Sequence, residues 1–496
     1  MRLRWSVGAA TILVGLMVLT AGPVAASGPR TLVVDDDGAQ CPGAGYTAIQ
    51  PAIDAANPGD TVRVCGGNYA SDLIKIDDNH DGINLVAQVP AAPAIDCLAD
   101  SVTYPAALAV VNNEIRVAAG DVHVDGLVVI APVTADAGIF LTDSASGYRV
   151  SRNVVDNTEF GIEVESSGAH QTVVERNCVR DARFVGIASQ DGALRNAVIR
   201  QNTTVGNMFG IAAELPQPRS DISITQNTSR RDQTAIAVSG TVGSDITGNS
   251  IDSTGAAGVP APGMIIGSGN VGLAITGNTV TGGKVNGGPI TFARGYFGDT
   301  NLASNVGLFI TGNTVHDVYG PGISTGVQQP GEPGNVTRSL FLRNTLQNNV
   351  LASGLFLGPG NDGNVLLANT STGNLRGINL LGATGTLVIG NTLLGNTLVD
   401  ARDIDSSHNT WIANRCVTDD PHGALCTAPT GAATTMAAQG STTKATPLVP
   451  TRPNVDQSRW PCLRVPVWDV DPVDGGAWVW ITVVAPDAPA GTYCGT

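Results

Sequence analysis

The chain has 496 residues, of which 27 are basic and 42 acidic, so its formal net charge is −15. An acidic chain repels nucleic acid and anionic membrane surfaces, which excludes both as expected partners. Only 14% of the residues are charged and 61 are glycine, a composition that argues against long compact helices. A chain of this length predicts several domains or one elongated repeat.

Residues 1–26 are typical of a secretory signal peptide. Arg2 and Arg4 precede an apolar stretch at 7–19, and the small residues Val24 and Ala26 precede the expected cleavage point. The stretch is short for a membrane span, and no later segment has roughly 18 uncharged apolar residues in a row. We therefore expect a secreted, extracellular protein whose mature form has no membrane span.

Residues 27–100 are expected to form an N-terminal cap and the first coils of a repeat. The segment "YTAIQPAIDAANPGD" (46–60) predicts a short helix, and Thr47 and Gln50 fit a capping box at its start. The stretch "TVRVC" (61–65) then predicts the first strand.

The segment "DDNHDG" (77–82) has the Asp-x-Asn-x-Asp-Gly spacing with which calcium loops begin. Oxygen atoms of Asp77, Asn79 and Asp81 would bind one Ca²⁺ ion. The twelfth position is Gln88 rather than Glu, so the full loop pattern fails, and a plain turn before a strand is the alternative. Calcium is the only cofactor that the sequence suggests.

Residues 101–416 contain a repeated phrase, "ITGNTV" at 275–280 and 310–315 and "ITGNSI" at 246–251. Its Asn recurs at steps of 22 to 35 residues, a period that predicts a solenoid, and the apolar alternation before it predicts strands. We expect the Asn at the same corner of every coil, because it tolerates the left-handed backbone region, with its amides stacked in a ladder. The series is Asn153, Asn177, Asn202, Asn227, Asn249, Asn278, Asn313, Asn344, Asn369, Asn391 and Asn414.

A second repeated motif is Gly followed by Ile, Met or Leu, which we call the Gly-Ile motif. It comes 8 to 14 residues after most of these Asn residues and predicts the start of another strand. The residue after the apolar one should then point outward, and small residues in the middle of this outward row predict a floor open to a ligand. The row is Phe140, Glu163, Ala188, Ala212, Ala237, Ile265, Thr291, Ser324, Phe356 and Asn379. A leucine-rich repeat is the alternative, but Val and Ile are as frequent as Leu and no helical return segment follows.

The opening segment, followed by N-x-[VI] and Gly-Ile repeats, resembles the right-handed parallel β-helix proteins of the pectin-lyase-like class. The resemblance implies an all-β solenoid with an N-terminal capping helix, to which residues 455–496 are expected to add a small C-terminal β module. It also implies a substrate groove along one outer strand face, and hence a protein that acts on or binds extracellular polysaccharide. Because many chemistries share this scaffold, a non-catalytic surface or glycan-binding protein is the alternative.

Three insertions lengthen the steps after Asn249, Asn278 and Asn313 to 29, 35 and 31 residues, and insertions in a solenoid are often binding loops. The candidate catalytic residues there are Lys284, Arg294, Tyr296, His316, Asp317 and Tyr319.

In a uronate polysaccharide lyase, a base removes the proton beside the carboxylate and a cation stabilises the developing charge. Lys284 or Arg294 would be the base or the neutralising cation, and Tyr296 or Tyr319 would donate to the leaving oxygen. The alternative is that all of these are solvated loop residues on a non-catalytic rod.

Other chemistries of this class have weaker support. The outward pair Glu163 and Glu165 would suit Ca²⁺ or a cationic sugar, or is simply solvated. The segment "DPHG" (420–423) is similar to the Asp-Pro-His motif of β-helix uronan epimerases, but it is expected to lie beyond the last coil. Copper accessory proteins also use this fold, yet the six His and five Met are too scattered to form a soft-ligand cluster.

Eight Cys in an exported chain predict disulfides, of which Cys41–Cys65, Cys416–Cys426 and Cys462–Cys494 join sequence neighbours. Cys97 and Cys178 are left over, and Cys178 also fits as a small packed residue.

Residues 417–454 are expected to form a linker rich in Thr, Ala and Pro. Residues 455–496 hold four of the six Trp residues and predict a β-hairpin that either caps the last coil or binds glycan.

Overall fold

The computed structural model describes residues 28–69, 73–132, 134–189, 192–213, 219–253, 262–282, 290–292, 304–325, 335–349 and 352–427, and the backbone of two further strands. Within these residues the protein is an all-β, right-handed parallel β-helix with almost no α-helix. Successive coils add strands to three parallel sheets, which we name A, B and C in the order in which the chain visits them.

The described strands of each sheet follow one another along the axis. Sheet A contains Thr31–Val34, Thr61–Val64, Asn84–Ala87, His123–Asp125, Arg149–Ser151, Thr172–Glu175, Leu194–Arg200, Arg219–Thr225, Thr241–Val242, Asp245–Thr247, Ala274–Thr276, Phe309–Thr311, Leu340–Leu342, Val365–Leu367, Leu387–Ile389 and Thr410–Ile412. Sheet B contains Gly67–Tyr69, Ala109–Val111, Val128–Val129, Val154–Asp156, Cys178–Arg180, Thr203–Val205, Thr228–Arg230, Ser250–Asp252, Thr279–Thr281, Thr314–His316, Thr345–Gln347, Thr370–Thr372 and Thr392–Leu394. Sheet C contains Ile74–Ile76, Ile115–Val117, Ile139–Leu141, Phe160–Val164, Val185–Ser189, Phe209–Ala213, Thr234–Val238, Met264–Ile266, Ile290–Phe292, Ile323–Thr325, Ser353–Leu357, Arg376–Leu381, Val399–Ile404 and Asp419–Asp420.

The core lies inside the coils and is built from register rows of apolar side chains. In sheet A one inward row runs without interruption from the first described coil to the last. It consists of Leu32, Val62, Leu85, Val124, Val150, Val174, Ile199, Ile224, Ile246, Ile275, Ile310, Phe341, Leu366, Val388 and Trp411. Each buried Val, Ile or Leu contributes about 1.5–3 kcal/mol of transfer free energy, which makes this row a principal source of stability.

The Asn ladder lies at the corner between sheets A and B. From Asn153 to Asn391, each side-chain Nδ2 donates to the Oδ1 of the next Asn at 2.9–3.1 Å and also to a backbone carbonyl. All of these side chains are buried, and Asn278 and Asn313 are 0% exposed. The repeated phrase therefore marks a continuous column of satisfied buried amides, as the sequence predicts.

The left-handed backbone at this corner belongs to the residue before each Asn and not to the Asn itself. Gly277 and Gly312 have φ of 61° and 63°, and Arg152, Gln226 and Ala368 occupy the same place in other coils with φ of 53–56°. The Asn itself does not need a left-handed torsion, and its side chain makes the hydrogen bonds that fill the corner.

The Gly of the Gly-Ile motif is required by close packing between coils. A Cβ atom on Gly161 would lie 2.3 Å from the carbonyl oxygen of Gly186, and one on Gly186 would lie 2.7 Å from that of Gly210. The same crowding recurs at Gly322 and Gly377. Several strands of sheet C therefore begin at a place where a side chain would push neighbouring coils apart.

A second ladder, which the repeat does not predict, lies at the corner between sheets B and C. Asn207 Nδ2 donates to Asp232 Oδ1 at 2.8 Å, and further along Asn374 Nδ2 donates to Asn396 Oδ1 at 3.2 Å. Asp232 is a carboxylate at a ladder position and is 1% exposed.

The N-terminal helix spans Ile49–Asp54 and buries Ile49, Ala52 and Ile53. The predicted capping box is wrong, since Ala48 is the N-cap and no side chain caps it. Gln50 instead bonds both the N–H and the C=O of Lys75, which ties the helix to the first strand of sheet C. The role of this helix as a cap of the solenoid remains a prediction.

Three disulfides occur among the described residues. Cys41–Cys65 and Cys416–Cys426 join the predicted partners, and Cys97–Cys178 joins the two that the sequence left over. The alternative that Cys178 is only a small packed residue is therefore wrong. Cys462–Cys494 lies outside the described residues, because Cys494 does.

The Cys97–Cys178 bond attaches the segment after the helical turn Ala92–Ala94 to the outer face of sheet B. Tyr104 bonds Asp156 there as well. Three disulfides indicate an oxidising compartment such as the periplasm or the extracellular space.

The C-terminal boundaries differ in part from the expectation. Asp419–Asp420 pairs with the strand Val399–Ile404, so the solenoid extends into the segment predicted as a linker from 417. The strands Cys462–Asp469 and Ala477–Val484 pair antiparallel, as a hairpin requires. Residues 1–26, predicted to be a signal peptide, and residues 428–461 lie outside the described residues. No helix within the described ranges is long and apolar enough to cross a membrane.

Candidate functional site on the outer face of sheet C

The outward row of sheet C has the register that the sequence predicts. Phe140 pairs with Glu163, and each further member pairs with the next as far as Asn379. The row continues beyond the prediction at both ends, through Lys75 and Arg116 on one side and Arg402 and Asp420 on the other.

The middle of this row is not an open floor, so that part of the prediction is wrong. Ala188, Ala212, Ala237 and Ile265 are all 0–5% exposed, although they point away from the core. They cluster with neighbouring apolar side chains on the outside of the sheet. Glu163 is 5% exposed as well, and so is Glu165, so the solvated-face interpretation of this pair is also wrong.

The candidate catalytic residues are only partly within the described chain. Lys284, Arg294 and Tyr296 lie outside it. His316 ends a strand of sheet B, next to Asp317 at the corner, and its Nδ1 is 2.9 Å from Asp317 Oδ2. Tyr319 lies in the same corner before sheet C and is 40% exposed. His316, Asp317 and Tyr319 therefore flank sheet C without lying on its face.

A cleft of about 470 Å³ opens on sheet C at its C-terminal end. Two arginines, four other polar or charged residues and three apolar residues line this cleft. The lining residues are Arg376, Leu398, Val399, Arg402, Val417, Thr418, Asp419, Asp420 and His422.

Arg376 is the least satisfied group of this cleft. Its Nε is buried and has no hydrogen-bond partner among the described residues. Burial and then the cation of Arg402 lower the pKa of Arg376 from its ordinary value. Arg402 Nε lies 3.5 Å from Oδ2 of Asp420, whose side chain is 54% exposed. Because both arginines are partly exposed, an anion bound in the cleft would relieve the repulsion between the two guanidinium groups.

The Asp-Pro-His segment lies in this cleft, so the expectation that it falls beyond the last coil is wrong. Burial acts to raise the pKa of Asp419, but backbone N–H groups of Gly423, Leu425 and Cys426 outweigh it and hold that pKa below its usual value. His422 Nδ1 is 3.5 Å from Asp419 Oδ1, and the His422 side chain is 96% exposed. The site thus offers an ionised carboxylate and an accessible imidazole beside two arginines.

Sequence reasoning missed Arg376 and Arg402. The available signal was the register itself, because extending the outward row by one coil beyond Asn379 gives Arg402. Arg376 immediately precedes Gly377, the Gly of the Gly-Ile motif in that coil. Phe160 occupies the equivalent position in an earlier coil.

The residues of the candidate calcium loop make separate contacts. Asp77 Oδ1 contacts His80 Nδ1 at 2.6 Å, and Asp81 Oδ1 accepts the N–H of Gly120 at 2.7 Å. Both face a shallow cleft together with Asp121 and His170. A calcium ion bound by Asp77, Asn79 and Asp81 remains a prediction.

Two groups of described side chains are close enough to hold a metal ion, with ligand atoms within 4.8 Å of one another. One is Asp35 with Cys41 and Cys65, and the other is Asp35 with Asp36 and Asp37. The first group has no thiolate to offer, because its two cysteines form a disulfide.

A protein-family model described as "Periplasmic copper-binding protein (NosD)" matches residues 119–289, which is less than half of the chain. The carboxylates that remain in the two metal-capable groups suit hard cations rather than copper. No curated protein matches the chain.

Several solved structures share the architecture. The catalytic unit of a GH87 α-1,3-glucanase from Streptomyces thermodiastaticus strain HF3-3 is 16% identical, with a TM-score of 0.48 over 79% of this chain and 70% of that one. A mannuronic acid specific family 6 lyase from human gut microbiota is 14% identical, with a TM-score of 0.48 over 73% and 86%. The periplasmic alginate epimerase AlgG is 10% identical, with a TM-score of 0.40 over 72% and 77%. At these identities the likeness concerns the fold alone.

Proposed function

We propose that the protein binds an acidic extracellular polysaccharide at the C-terminal end of sheet C. The observation that carries this proposal is the juxtaposition of two guanidinium groups, Arg376 and Arg402, which repel each other in an open cleft. A uronate carboxylate presents two acceptor oxygens in the plane that a guanidinium group recognises.

The surrounding charge makes this arrangement selective. The whole chain carries a net charge of −15, so an anion is repelled from most of the surface and attracted only where cations concentrate. Leu398 and Val417 are exposed in the same cleft, at 57% and 68%, and give apolar contact area for the ring faces of a sugar. A neutral glycan would gain the apolar contacts but would not relieve the repulsion between Arg376 and Arg402.

The finer part of the proposal is that the bound polymer is cleaved by a lyase reaction. Two sets of residues are candidates for the chemistry. One is the loop set Lys284, Arg294, Tyr296, His316, Asp317 and Tyr319. The other is the cleft itself, where Arg376 and Arg402 would neutralise the carboxylate and His422 would accept the neighbouring proton.

A non-catalytic glycan-binding protein is the second candidate function. It is favoured by the 96% exposure of the His422 side chain, since the described residues do not enclose that imidazole. A base that acts on a weakly acidic C–H bond gains from exclusion of water, which an open site does not provide.

Binding and catalysis can be tested separately. The mature protein is titrated with polyuronates and with neutral polysaccharides, with and without Ca²⁺, and each mixture is monitored for unsaturated products and new reducing ends. We expect polyuronate binding that weakens with salt, and a loss of affinity of roughly tenfold or more in Arg376→Ala and Arg402→Ala.

The matched control is Arg343→Ala, which removes an exposed arginine from a different corner. Ala368 and Ala413 already occupy the equivalent backbone position in other coils, so this change should leave the fold and the affinity intact. Equal binding of neutral glycans, or unchanged affinity in both cleft variants, would refute the proposal.

If unsaturated products form, turnover assigns the catalytic set. Lys284→Ala or Arg294→Ala should lower turnover by about 10²-fold if the loops act, whereas His422→Ala should do so if the cleft acts. Binding without products favours the second candidate.

A further inference from the structure

The outer face of sheet A changes character along the axis. In its early coils the two outward rows carry polar and charged residues such as Asp125, Glu175, Arg200 and Thr247. In the last five coils nearly all of the same positions are apolar. We call these positions the apolar face; they are Phe309, Leu340, Val365 and Leu387 in one row and Leu342, Leu367, Ile389 and Ile412 in the other.

Part of this face is buried although it points away from the core. Leu340 and Leu342 are 3% and 5% exposed. Val365 and Leu367, on the next coil of the same rows, are only partly buried, although they too have apolar neighbours on both sides. Contact with neighbouring coils alone therefore leaves an outward apolar side chain partly exposed. A contiguous apolar patch such as the apolar face marks an interaction surface.

The C-terminal hairpin has a surface of matching chemistry. Its two strands, Cys462–Asp469 and Ala477–Val484, pair in a register that aligns Leu463 with Val483, Val465 with Ile481, and Val467 with Val479. By the two-residue alternation of strands, these six aliphatic positions share one face of the hairpin. An isolated two-stranded hairpin is marginally stable in water, so it needs an apolar partner.

The dimensions also agree. Five coils of sheet A extend about 19 Å along the axis, and an eight-residue strand extends about 27 Å. The three aliphatic positions of each strand, from Leu463 to Val467 and from Val479 to Val483, extend about 14 Å, so they cover about four of these five coils.

The tether places the hairpin near this surface. The described solenoid ends at Thr427, and the apolar face occupies its last coils. Residues 428–461 connect the two, and at up to about 3.3 Å per residue a segment of this length more than spans those coils, so the covalent link keeps the hairpin in their vicinity.

We propose that the C-terminal hairpin, residues 462–484, packs its aliphatic positions against the apolar face of sheet A. This arrangement differs from a cap over the last coil and from a free glycan-binding module. It covers the side of the solenoid and leaves the cleft on sheet C accessible.

The test uses the full chain with a specific protease site inserted in the connecting segment, near Gln439. No described disulfide joins the two sides of that site, so only non-covalent contacts hold the fragments together after cleavage. We expect the C-terminal fragment to co-elute with the solenoid on size exclusion.

Substitutions locate the contact. Leu342→Asp together with Leu367→Asp should weaken retention of the fragment by roughly tenfold or more, because each change places a charge in the apolar contact. Thr247→Asp together with Thr276→Asp is the matched control, since both threonines occupy the same outward row in earlier coils. The control should retain the fragment fully.

A second pair of variants guards against misfolding of the solenoid. Val465→Asp with Ile481→Asp changes only the hairpin and should release the cleaved fragment to the same extent. The proposal is overturned if the wild-type fragment elutes alone, if it is retained in the Leu342 and Leu367 double variant, or if the threonine control releases it equally.

Discussion

The side-chain amide of Asn278 donates to Oδ1 of Asn313 at 3.0 Å, although 35 residues separate the two positions in the chain. The intervening residues include a complete coil and an insertion, and the contact is still the same as in coils with no insertion. The ladder therefore sets the coil register locally, and each coil can lengthen elsewhere without disturbing it.

Replacement of Asn313 by Ala should destabilise the protein by about 1–3 kcal/mol, because it leaves buried polar groups of two neighbouring coils without partners. The measurement is the free energy of unfolding by chemical denaturation. Thr314→Ala, on the outer face directly after the ladder, is the matched control and should change stability by less than about 0.5 kcal/mol. Equal effects of the two changes would contradict the structural role of the ladder.

Two glycines should respond very differently to the same substitution. A Cβ on Gly277 meets nothing within 4 Å, so Gly277→Ala should cost only the left-handed backbone strain, roughly 1 kcal/mol. A Cβ on Gly161 would lie 2.3 Å from the carbonyl oxygen of Gly186, so Gly161→Ala should cost about 3 kcal/mol or more through displacement of the coils. Thermal unfolding of the two variants gives the comparison, and similar losses would show that inter-coil packing does not require the glycine.

The stability of the protein should depend on the ionisation of Asp232. Burial raises the pKa of this carboxyl to about 6, against the effect of donors from Thr204, Ser229 and Asn207. The folded state therefore binds the proton more tightly than the unfolded state, so this group stabilises the fold most below pH 4 and loses that contribution as the pH rises through about 6.

Asp232→Asn should remove this pH dependence. The amide keeps the acceptor for Asn207 and can donate to the hydroxyl groups of Thr204 and Ser229, which rotate to accept. At pH 7 the variant should be more stable by up to about 3 kcal/mol, whereas at pH 4 the difference should largely vanish. Unfolding free energies at several pH values give the test, with the exposed Asp405→Asn as control. A variant with the same pH profile as the wild type would contradict the assignment.

Loss of the Cys97–Cys178 disulfide should destabilise the protein more than loss of Cys416–Cys426. The sequence separations are 81 and 10 residues, which correspond to about 4.5 and about 2.7 kcal/mol in the loop-closure description. Paired Cys→Ser variants and urea denaturation measure both losses. We also expect faster proteolysis around residues 92–104 in the first variant, and an unchanged cleavage pattern there would contradict its role as an anchor.

The sequence was most informative where one coil predicts the next. The ladder, the outward row of sheet C and the disulfide Cys41–Cys65 depend on short periods or on neighbours along the chain, so they could be predicted. The strand Asp419–Asp420 carries neither the Asn nor the Gly-Ile signature, and the cleft that it helps to form was therefore missed. The burial of Ala212 and Ala237 could not be predicted either, because it depends on contacts made outside the coil that contains them.

The left-handed corner before each ladder Asn has a consequence for what can be attached to the protein. Gly248, Gln226 and Arg343 are among the residues that occupy this corner, so the fold requires a backbone torsion there rather than a particular side chain. Successive corners are separated by one coil, about 4.8 Å. Charged or reactive side chains can therefore be introduced by substitution at regular intervals along one edge of the solenoid, and the buried core does not change.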